Sequence, residues 1–189
     1  MVDTESPDSG QIDRTGARIE RPTWYADWVL LSGIATVLVT DQFTKYLIRT
    51  NMTLGESWPA EGLFRLTYGT NTGAAFGLFP NQTIALIVAS LMAIGLLAYF
   101  YRTQVHPTSI LRLSIGLQLG GAVGNLIDRL KDGFVVDFID IGPWPIFNLA
   151  DSSIVVGIGM LIWVLAFGDT RPRPKSARVD PDSEEPAVR

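Results

Sequence analysis

Four long apolar runs constrain the fold of this chain more than any other feature of its sequence. Each is close to the roughly 20 residues that a helix needs to cross the apolar core of a bilayer. A soluble helical bundle would show a polar stripe at helical spacing, and the run ALIVASLMAIGLLAYF has none. The runs are Trp28 to Ile48, Thr83 to Phe100, Ile110 to Ile127 and Ile154 to Phe167, the last extended by Leu149 and Ala150. The sequence therefore predicts an all-α membrane protein with four transmembrane helices.

Both ends of the chain are polar and predict disordered cytoplasmic arms around one membrane domain. Residues 1–23 carry several acids and no apolar core, which is not typical of a cleavable signal peptide. Residues 169–189 are rich in proline and charge, a composition typical of disorder. Ten of the 19 acidic residues lie in these arms, so the net charge of −4 says little about a partner, and no nucleic-acid partner is expected. A transmembrane domain over residues 24–168 remains between them.

The distribution of Lys and Arg near the helix ends predicts the orientation of the helices. Ten basic residues lie in the two termini, in the connection after the second run and at the start of the third run, against four in the other two connections. Both termini are therefore predicted to be cytoplasmic, with residues 49–82 and 128–148 facing outward. Within the first outer loop, LFRLTYG alternates like a strand. We expect a small extracytoplasmic β-sheet in this loop, between helices 1 and 2, lying on the membrane surface and covering the residues beneath it.

The residue types that are missing exclude several kinds of chemistry. The chain has no cysteine, which rules out disulfides, thiolate metal sites and a cysteine nucleophile. Its one histidine, His106, lies in a short polar turn on the predicted cytoplasmic side. A Ser-His-Asp triad and an HExxH zinc site are therefore not expected. Proton transfer in the outer half of the protein would fall to carboxylates, or to Lys45 with a serine.

Ionisable and amide side chains gather at one end of the predicted helices, the outer end. Asp41 and Lys45 are four residues apart, on one face of helix 1, and form either an ion pair that fixes the helix or part of a site. Asp128 and the adjacent Arg129 allow the same two interpretations. Ionisable groups inside a bilayer are costly and usually functional, so we expect a site at the outer interface. Its further candidate members are Asn71, Asn125, Asp137, Asn148 and Asp151.

Asp137 and Asp151 differ from these pairs because neither has a basic residue close to it in sequence. Asp137 lies in the extended run FVVDFIDI with no Lys or Arg within five positions, and Asp151 has none within nineteen. Two buried carboxylates brought together share one proton, so that one acts as a base and the other as an acid. A structural cap at the start of helix 4 is the alternative interpretation of Asp151.

The third helix is predicted to be the central one. Gly116, Gly120 and Gly124 recur at intervals of four, a pattern that lets a neighbouring helix approach closely. Packing alone explains these glycines, and it is compatible with a site just above them.

Five motifs in this order together resemble the lipoprotein signal peptidases, also called signal peptidase II. The resemblance covers residues 24–168 and leaves out only the arms. The motifs are DQxxK at Asp41 to Lys45, NTGAAFG at Asn71 to Gly77, GGAVGNLIDR at Gly120 to Arg129, VVDFID at Val135 to Asp140 and FNLAD at Phe147 to Asp151.

The resemblance implies a multi-pass aspartic endopeptidase of the bacterial cytoplasmic (inner) membrane, with its active site near the extracytoplasmic face. Such an enzyme removes the signal peptide from a diacylglyceryl-modified prolipoprotein by cutting just before the lipidated cysteine. It would work as a monomer among membrane lipids, without a metal or another cofactor. The resemblance implies that Asp137 and Asp151 are the catalytic pair. Supporting and substrate-positioning roles are implied for Asp41, Lys45, Asn71, Asn125, Asp128, Arg129 and Asn148.

Three other functions are weighed against this one. A proton-coupled transporter would need ionisable groups near the midplane or on both sides of it, whereas here they gather at one end. A Ser-Lys peptidase would use Lys45 with a serine such as Ser152. A structural scaffold would keep its function after either aspartate was neutralised.

Overall fold

A computed structural model describes residues 24–73 and 83–167 of the chain. The arms predicted to be disordered, and residues 74–77 of the NTGAAFG motif, lie outside the described residues. The four long helices are α1 (Trp28–Asn51), α2 (Thr83–Thr103), α3 (Ser109–Asp132) and α4 (Leu149–Phe167). A short 3-10 turn, Trp24–Ala26, comes before α1. All four predicted helical runs are confirmed, and three of the helices continue beyond the apolar run into polar residues.

Three of these four helices, α2, α3 and α4, are long and apolar enough to cross a membrane. Helix α1 is not among them although it has 24 residues. Its C-terminal half carries Asp41, Gln42 and Lys45, and these side chains lower its mean hydropathy. The described part of the chain therefore holds three candidate membrane spans, and the fourth predicted span stays a prediction.

Helix α3 is the centre of the bundle, as its glycines predicted. It packs against α1, α2 and α4. A Cβ atom at Gly116 would lie 2.8 Å from the carbonyl oxygen of Leu30, and one at Gly120 would lie 2.9 Å from that of Ile34. Because real Cβ atoms do not approach a backbone that closely, only glycine allows α1 to lie against α3 here. Gly133 then ends α3 in the left-handed conformation, with φ of 80°.

A three-stranded antiparallel sheet lies beyond one end of the bundle. Its strands are β1 (Ser57–Trp58), β2 (Arg65–Asn71) and β3 (Val135–Asp140), in the order β1-β2-β3. The prediction of a sheet made by the loop between helices 1 and 2 was therefore wrong for one strand, because β3 comes from the connection between α3 and α4. Residues Val136 and Phe138 of β3 are buried against Ile48, and the buried backbone of β3 needs hydrogen-bond partners. Strand β2 supplies them.

The pairing of β2 with β3 fixes the position of Asp137. Gly69 lies opposite Asp137, and Asn71 lies opposite Val135, after an irregularity in register between Leu66 and Gly69. The sheet was expected to cover the carboxylates. Instead it carries one of them.

An ion pair holds the far end of the same two strands together. Arg65 Nη2 lies 2.7 Å from Asp140 Oδ2, and the hydroxyl of Thr67 donates to the same oxygen at 2.9 Å. The backbone N–H of Gly142 donates to Asp140 Oδ1 and, with the neighbouring side chains, holds the pKa of Asp140 below its ordinary value. Strand β3 is thus fixed on the side of Asp137 that leads to α4.

Candidate active site

Asp137 and Asp151 reach one cavity from two different elements. Asp137 lies in the middle of β3, and Asp151 lies in the first turn of α4. The cavity has a volume of about 580 Å³, and both aspartates line it. Most of its wall is apolar and includes Ile141, Phe147 and Val155. The fold therefore brings together the two carboxylates that the sequence analysis singled out, in a largely apolar and partly open site.

Asn148 bridges the two carboxylates. Its side chain is fully buried, and its Nδ2 donates to Asp137 Oδ1 at 2.7 Å. Its backbone N–H donates to Asp151 Oδ2 at 3.3 Å, while its Oδ1 accepts from the backbone N–H of Asp151 at 2.9 Å. This reciprocal pair is a capping box at the start of α4. Asn148 is the cap residue and Asp151 is its partner three positions later, so the interpretation of Asp151 as a cap describes part of its role.

Two further amides complete the contacts of the pair. Asn125 Nδ2 donates to Asp151 Oδ1 at 2.7 Å, and Asn71 Nδ2 donates to Asp137 Oδ2 at 3.1 Å. The side chain of Asn71 is in turn held by the backbone N–H of Gly73, which donates to its Oδ1. Each carboxylate thus has both oxygens hydrogen-bonded to neutral N–H groups. Such bonds orient an ionised carboxylate without neutralising it.

Burial raises the pKa of Asp137 to about 6, and the nearby negative charge of Asp151 acts in the same direction. The amides of Asn71 and Asn148, and the more distant Lys45, oppose this rise in pKa. A carboxyl group that gains and loses its proton near neutral pH is suited to general acid–base catalysis.

Arg129 faces the cavity and does not pair with its neighbour in sequence. Its side chain is half-buried, lines the cavity, and lies within electrostatic reach of Asp137 and Asp151. Asp128 pairs instead with Lys45 at 2.8 Å and more loosely with Arg49 at 3.6 Å. The interpretation of Asp128 and Arg129 as an ion pair was wrong because consecutive residues of a helix do not face each other.

Lys45 lies behind the aspartates, fully buried. Its ammonium group is 2.7 Å from Asp41 Oδ2, 2.8 Å from Asp128 Oδ2 and 3.1 Å from Asn125 Oδ1. The predicted pair of Asp41 and Lys45 is therefore present, with Asp128 as a second acid. A lysine ammonium has three N–H donors, and these three contacts use all of them. Lys45 therefore has no free donor for a substrate.

The serine considered as a partner of Lys45 makes a different contact. Ser152 lines the cavity, and its hydroxyl donates to the backbone carbonyl of Asn148 at 2.9 Å. The ammonium group of Lys45 contacts Asp41, Asp128 and Asn125 instead. The geometry does not favour a Ser-Lys peptidase.

Gln42 is a site residue that the sequence analysis missed. Its Nε2 lies 3.3 Å from Asp41 Oδ2, 3.1 Å from Asp128 Oδ1 and 3.3 Å from the carbonyl oxygen of Gly124. Its position inside the DQxxK motif was the available signal. Within residues 24–73 and 83–167, no group of three or more His, Cys, Asp or Glu side chains has the geometry of a metal site.

Comparison with known proteins identifies the family. Residues 33–167 match the family described as Signal peptidase (SPase) II. The chain is 53% identical over 131 residues to the lipoprotein signal peptidase of Moorella thermoacetica, covering 68% of this chain and 87% of that protein. It is 45% identical over 134 residues to that of Halothermothrix orenii, covering 70% and 91%.

The fold agrees with the sequence match. A bacterial membrane enzyme solved by the in meso method at 2.3 Å superposes with a TM-score of 0.70 and 31% identity, over 79% of this chain and 94% of that one. A second such structure, solved at 1.9 Å, has a TM-score of 0.69 and 30% identity, over 82% and 100%. By its sequence and its fold, this chain belongs to the signal peptidase II family.

Proposed function

We propose that this protein is a membrane aspartic endopeptidase that removes signal peptides from diacylglyceryl-modified prolipoproteins, cutting just before the lipidated cysteine. The observation that carries the proposal is the pair Asp137 and Asp151, which face one largely apolar cavity and whose carboxylate oxygens accept hydrogen bonds from neutral N–H groups. The family match and the relatives named as lipoprotein signal peptidases support peptide cleavage rather than proton-coupled transport.

In the proposed reaction, the two aspartates divide the work of a general base and a general acid. One carboxylate takes a proton from a water molecule, whose oxygen attacks the carbonyl carbon of the scissile peptide bond. The other, protonated, polarises the carbonyl oxygen and then helps to protonate the leaving amine. Hydrolysis then needs no covalent intermediate.

The supporting residues fall into two proposed groups. Asn71 and Arg129 line the cavity beside Asp137 and are available to a substrate. The buried Asp41, Lys45, Asp128, Asn125 and Asn148 act on the aspartates instead. The apolar wall offers a place for the acyl chains of the lipidated cysteine, whose binding energy can position the reacting bond.

We further propose that α1 is a fourth membrane span and that both termini are cytoplasmic. The polar outer half of α1 is covered by α3 and α4, so the apolar requirement on its sequence is relaxed there. The enzyme would then be a monomer in the bacterial cytoplasmic membrane, surrounded by lipids. Its cavity would open near the extracytoplasmic face, where the cleavage site of a signal peptide lies.

The proposal is tested by incubating the purified full-length protein with a lipidated precursor and with the same precursor lacking the lipid. Cleavage of the lipidated form alone is expected, and both Asp137→Asn and Asp151→Asn should abolish it. Ser152→Ala is the matched control, because Ser152 lines the same cavity and has no assigned role in the chemistry. Efficient cleavage by either aspartate variant, or a loss in Ser152→Ala as large as in Asp151→Asn, would overturn the assignment.

A further inference from the structure

One buried carboxylate accepts a hydrogen bond from the backbone N–H of the residue before Asp151, and another does the same for the residue before Asp137. The N–H of Ala150 donates to Asp41 Oδ1 at 3.0 Å, and Ala150 precedes Asp151. The N–H of Val136 donates to Asp128 Oδ2 at 3.5 Å, and Val136 precedes Asp137. The same type of contact therefore recurs at both elements, although one is a helix start and the other a strand.

Lys45 joins these two carboxylates to each other. It contacts both, and the three side chains are between 0% and 1% exposed. Its third donor goes to Asn125, whose Nδ2 donates to Asp151. One ammonium group thus connects the segments that carry Asp137 and Asp151, although they belong to different elements.

We propose that Asp41, Lys45 and Asp128 form a brace that sets the separation of Asp137 and Asp151. This inference rests on the proposed function, and the three members are positioning residues that do not touch the substrate. The brace acts through the two backbone N–H groups. Asp41 holds the start of α4, Asp128 holds β3, and Lys45 fixes the distance between the two carboxylates.

Asp41 and Asp128 use their carboxylate oxygens differently. Replacing each by asparagine can therefore distinguish a loss of positioning from a loss of charge. Asp41 receives Ala150 on Oδ1 and Lys45 on Oδ2. Asp128 receives both Lys45 and Val136 on Oδ2. An asparagine side chain has only one oxygen acceptor. Asp128→Asn can therefore keep both contacts on its oxygen, while its NH₂ takes the place of Oδ1, whose contacts with Gln42 and Arg49 lie outside the brace.

Asp41→Asn has no such solution, because its NH₂ must face either Lys45 or the N–H of Ala150. The two variants remove the same charge but damage the brace unequally. Displacing a reacting group by about 1 Å costs roughly 100-fold in rate. We therefore expect Asp41→Asn to lower kcat by about 100-fold, and Asp128→Asn by less than about tenfold, with KM nearly unchanged in both.

The test measures kcat and KM on the lipidated precursor and hydrogen exchange at the two amides, with full-length protein in lipid nanodiscs. Asp41→Asn should speed exchange at Ala150. Asp128→Ala, which removes both acceptors, should speed exchange at Val136 and lower kcat as much as Asp41→Asn. Asp27→Asn is the control, since Asp27 is a buried carboxylate at the other end of α1 and should leave kcat and both amides unchanged.

Equal losses of kcat in Asp41→Asn and Asp128→Asn would overturn the brace, and so would unchanged exchange at Ala150 in Asp41→Asn. Failure of the wild-type protein to cleave the precursor would overturn the proposed function instead. The exchange measurements decide on the brace in either case.

Discussion

Asp27 and Asp151 are both carboxylates inside the protein at the start of a helix, but they lie at opposite ends of the bundle. Asp27 caps α1 by accepting from the N–H of Leu30 at 3.2 Å. Its other oxygen accepts from the hydroxyl of Tyr101 and pairs with Arg112 at 3.3 Å. Asp151 takes part in the cap of α4, and its carboxylate accepts from the side-chain amide of Asn125 and the backbone N–H of Asn148.

The difference between the two shows what makes a buried carboxylate suitable for chemistry. A position at a helix start is common to both, but Asp27 is buried and Asp151 is half-buried beside a cavity. Asp27 forms a direct ion pair with Arg112, whereas Asp151 shares its cavity with a second carboxylate and has Arg129 only within electrostatic reach. A charged partner stabilises the ionised form and makes the group structural, whereas a second acid makes proton exchange accessible. We therefore expect Asp27 to stabilise the fold, and we propose that Asp151 takes part in the reaction.

The largest expected effect is on activity, and it should separate the two aspartates. Asp151→Asn removes half of the acid–base pair and should lower kcat/KM by about 10³-fold or more, within the range of general acid–base catalysis. Asp27→Asn should leave kcat/KM of the folded protein within about twofold, since a surface or structural change far from the chemistry does not alter transition-state binding. Initial rates on the lipidated precursor measure both. Comparable losses of kcat/KM in Asp151→Asn and Asp27→Asn would show that the two aspartates do not differ in role.

The next effect is on the pH dependence of stability. The pKa of Asp137 is raised to about 6, whereas an unfolded chain would show the ordinary value near 4. The folded state thus binds the proton more tightly, so the free energy of unfolding should fall as pH rises from about 4 to 6. A pKa difference of about 2 corresponds to roughly 3 kcal/mol.

Unfolding of the wild type and of Asp137→Asn at pH 4.5 and pH 7 checks this sign. The asparagine variant cannot titrate, so its stability should depend less on pH. An Asp137→Asn protein that lost as much stability as the wild type between these two values would show that Asp137 does not carry this dependence.

A smaller effect is expected on stability at the other end. Asp27→Asn exchanges an ionised acceptor for a neutral one beside Tyr101 and Arg112. Leaving buried polar groups poorly satisfied costs about 1–3 kcal/mol, so the free energy of unfolding should fall by about 2 kcal/mol. Thermal unfolding of the purified variants in one detergent measures this loss of stability. Asp132→Asn is the control, because Asp132 is more exposed and its ion pair with Arg49 contributes little. A larger loss of unfolding free energy in Asp132→Asn than in Asp27→Asn would mean that the burial of Asp27 does not determine its contribution to stability.

Local sequence signals predicted the helices, and they singled out the two aspartates that the structure brings to one cavity. An apolar run of about 20 residues has few alternatives to a helix, and Asp137 and Asp151 stood out because no basic residue lies near them in sequence. A cap at the start of α4 was considered for Asp151, whereas the cap residue is Asn148, three positions earlier.

Contacts between distant segments were not predictable in the same way. The pairing of β2 with β3 joins residues 65–71 to 135–140, and strand pairing of this kind depends on the whole fold. Asp128 pairs with Lys45 across 83 positions, while its neighbour Arg129 suggested a nearer partner. The bonds of Ala150 and Val136 to buried carboxylates leave no mark in the sequence, because every residue except proline has the same backbone N–H.

The central claim, that Asp137 and Asp151 act as a coupled acid and base, is tested most directly by the pH dependence of kcat/KM on the lipidated precursor. We expect kcat/KM to follow a bell-shaped curve against pH, because one carboxyl group must be protonated and the other ionised. Asp137→Asn should abolish the activity, and any residual cleavage should lack the bell-shaped pH dependence. If kcat/KM did not vary from pH 4 to 9, or if its bell-shaped pH dependence remained in Asp137→Asn, Asp137 and Asp151 would not act as the acid and base of this reaction.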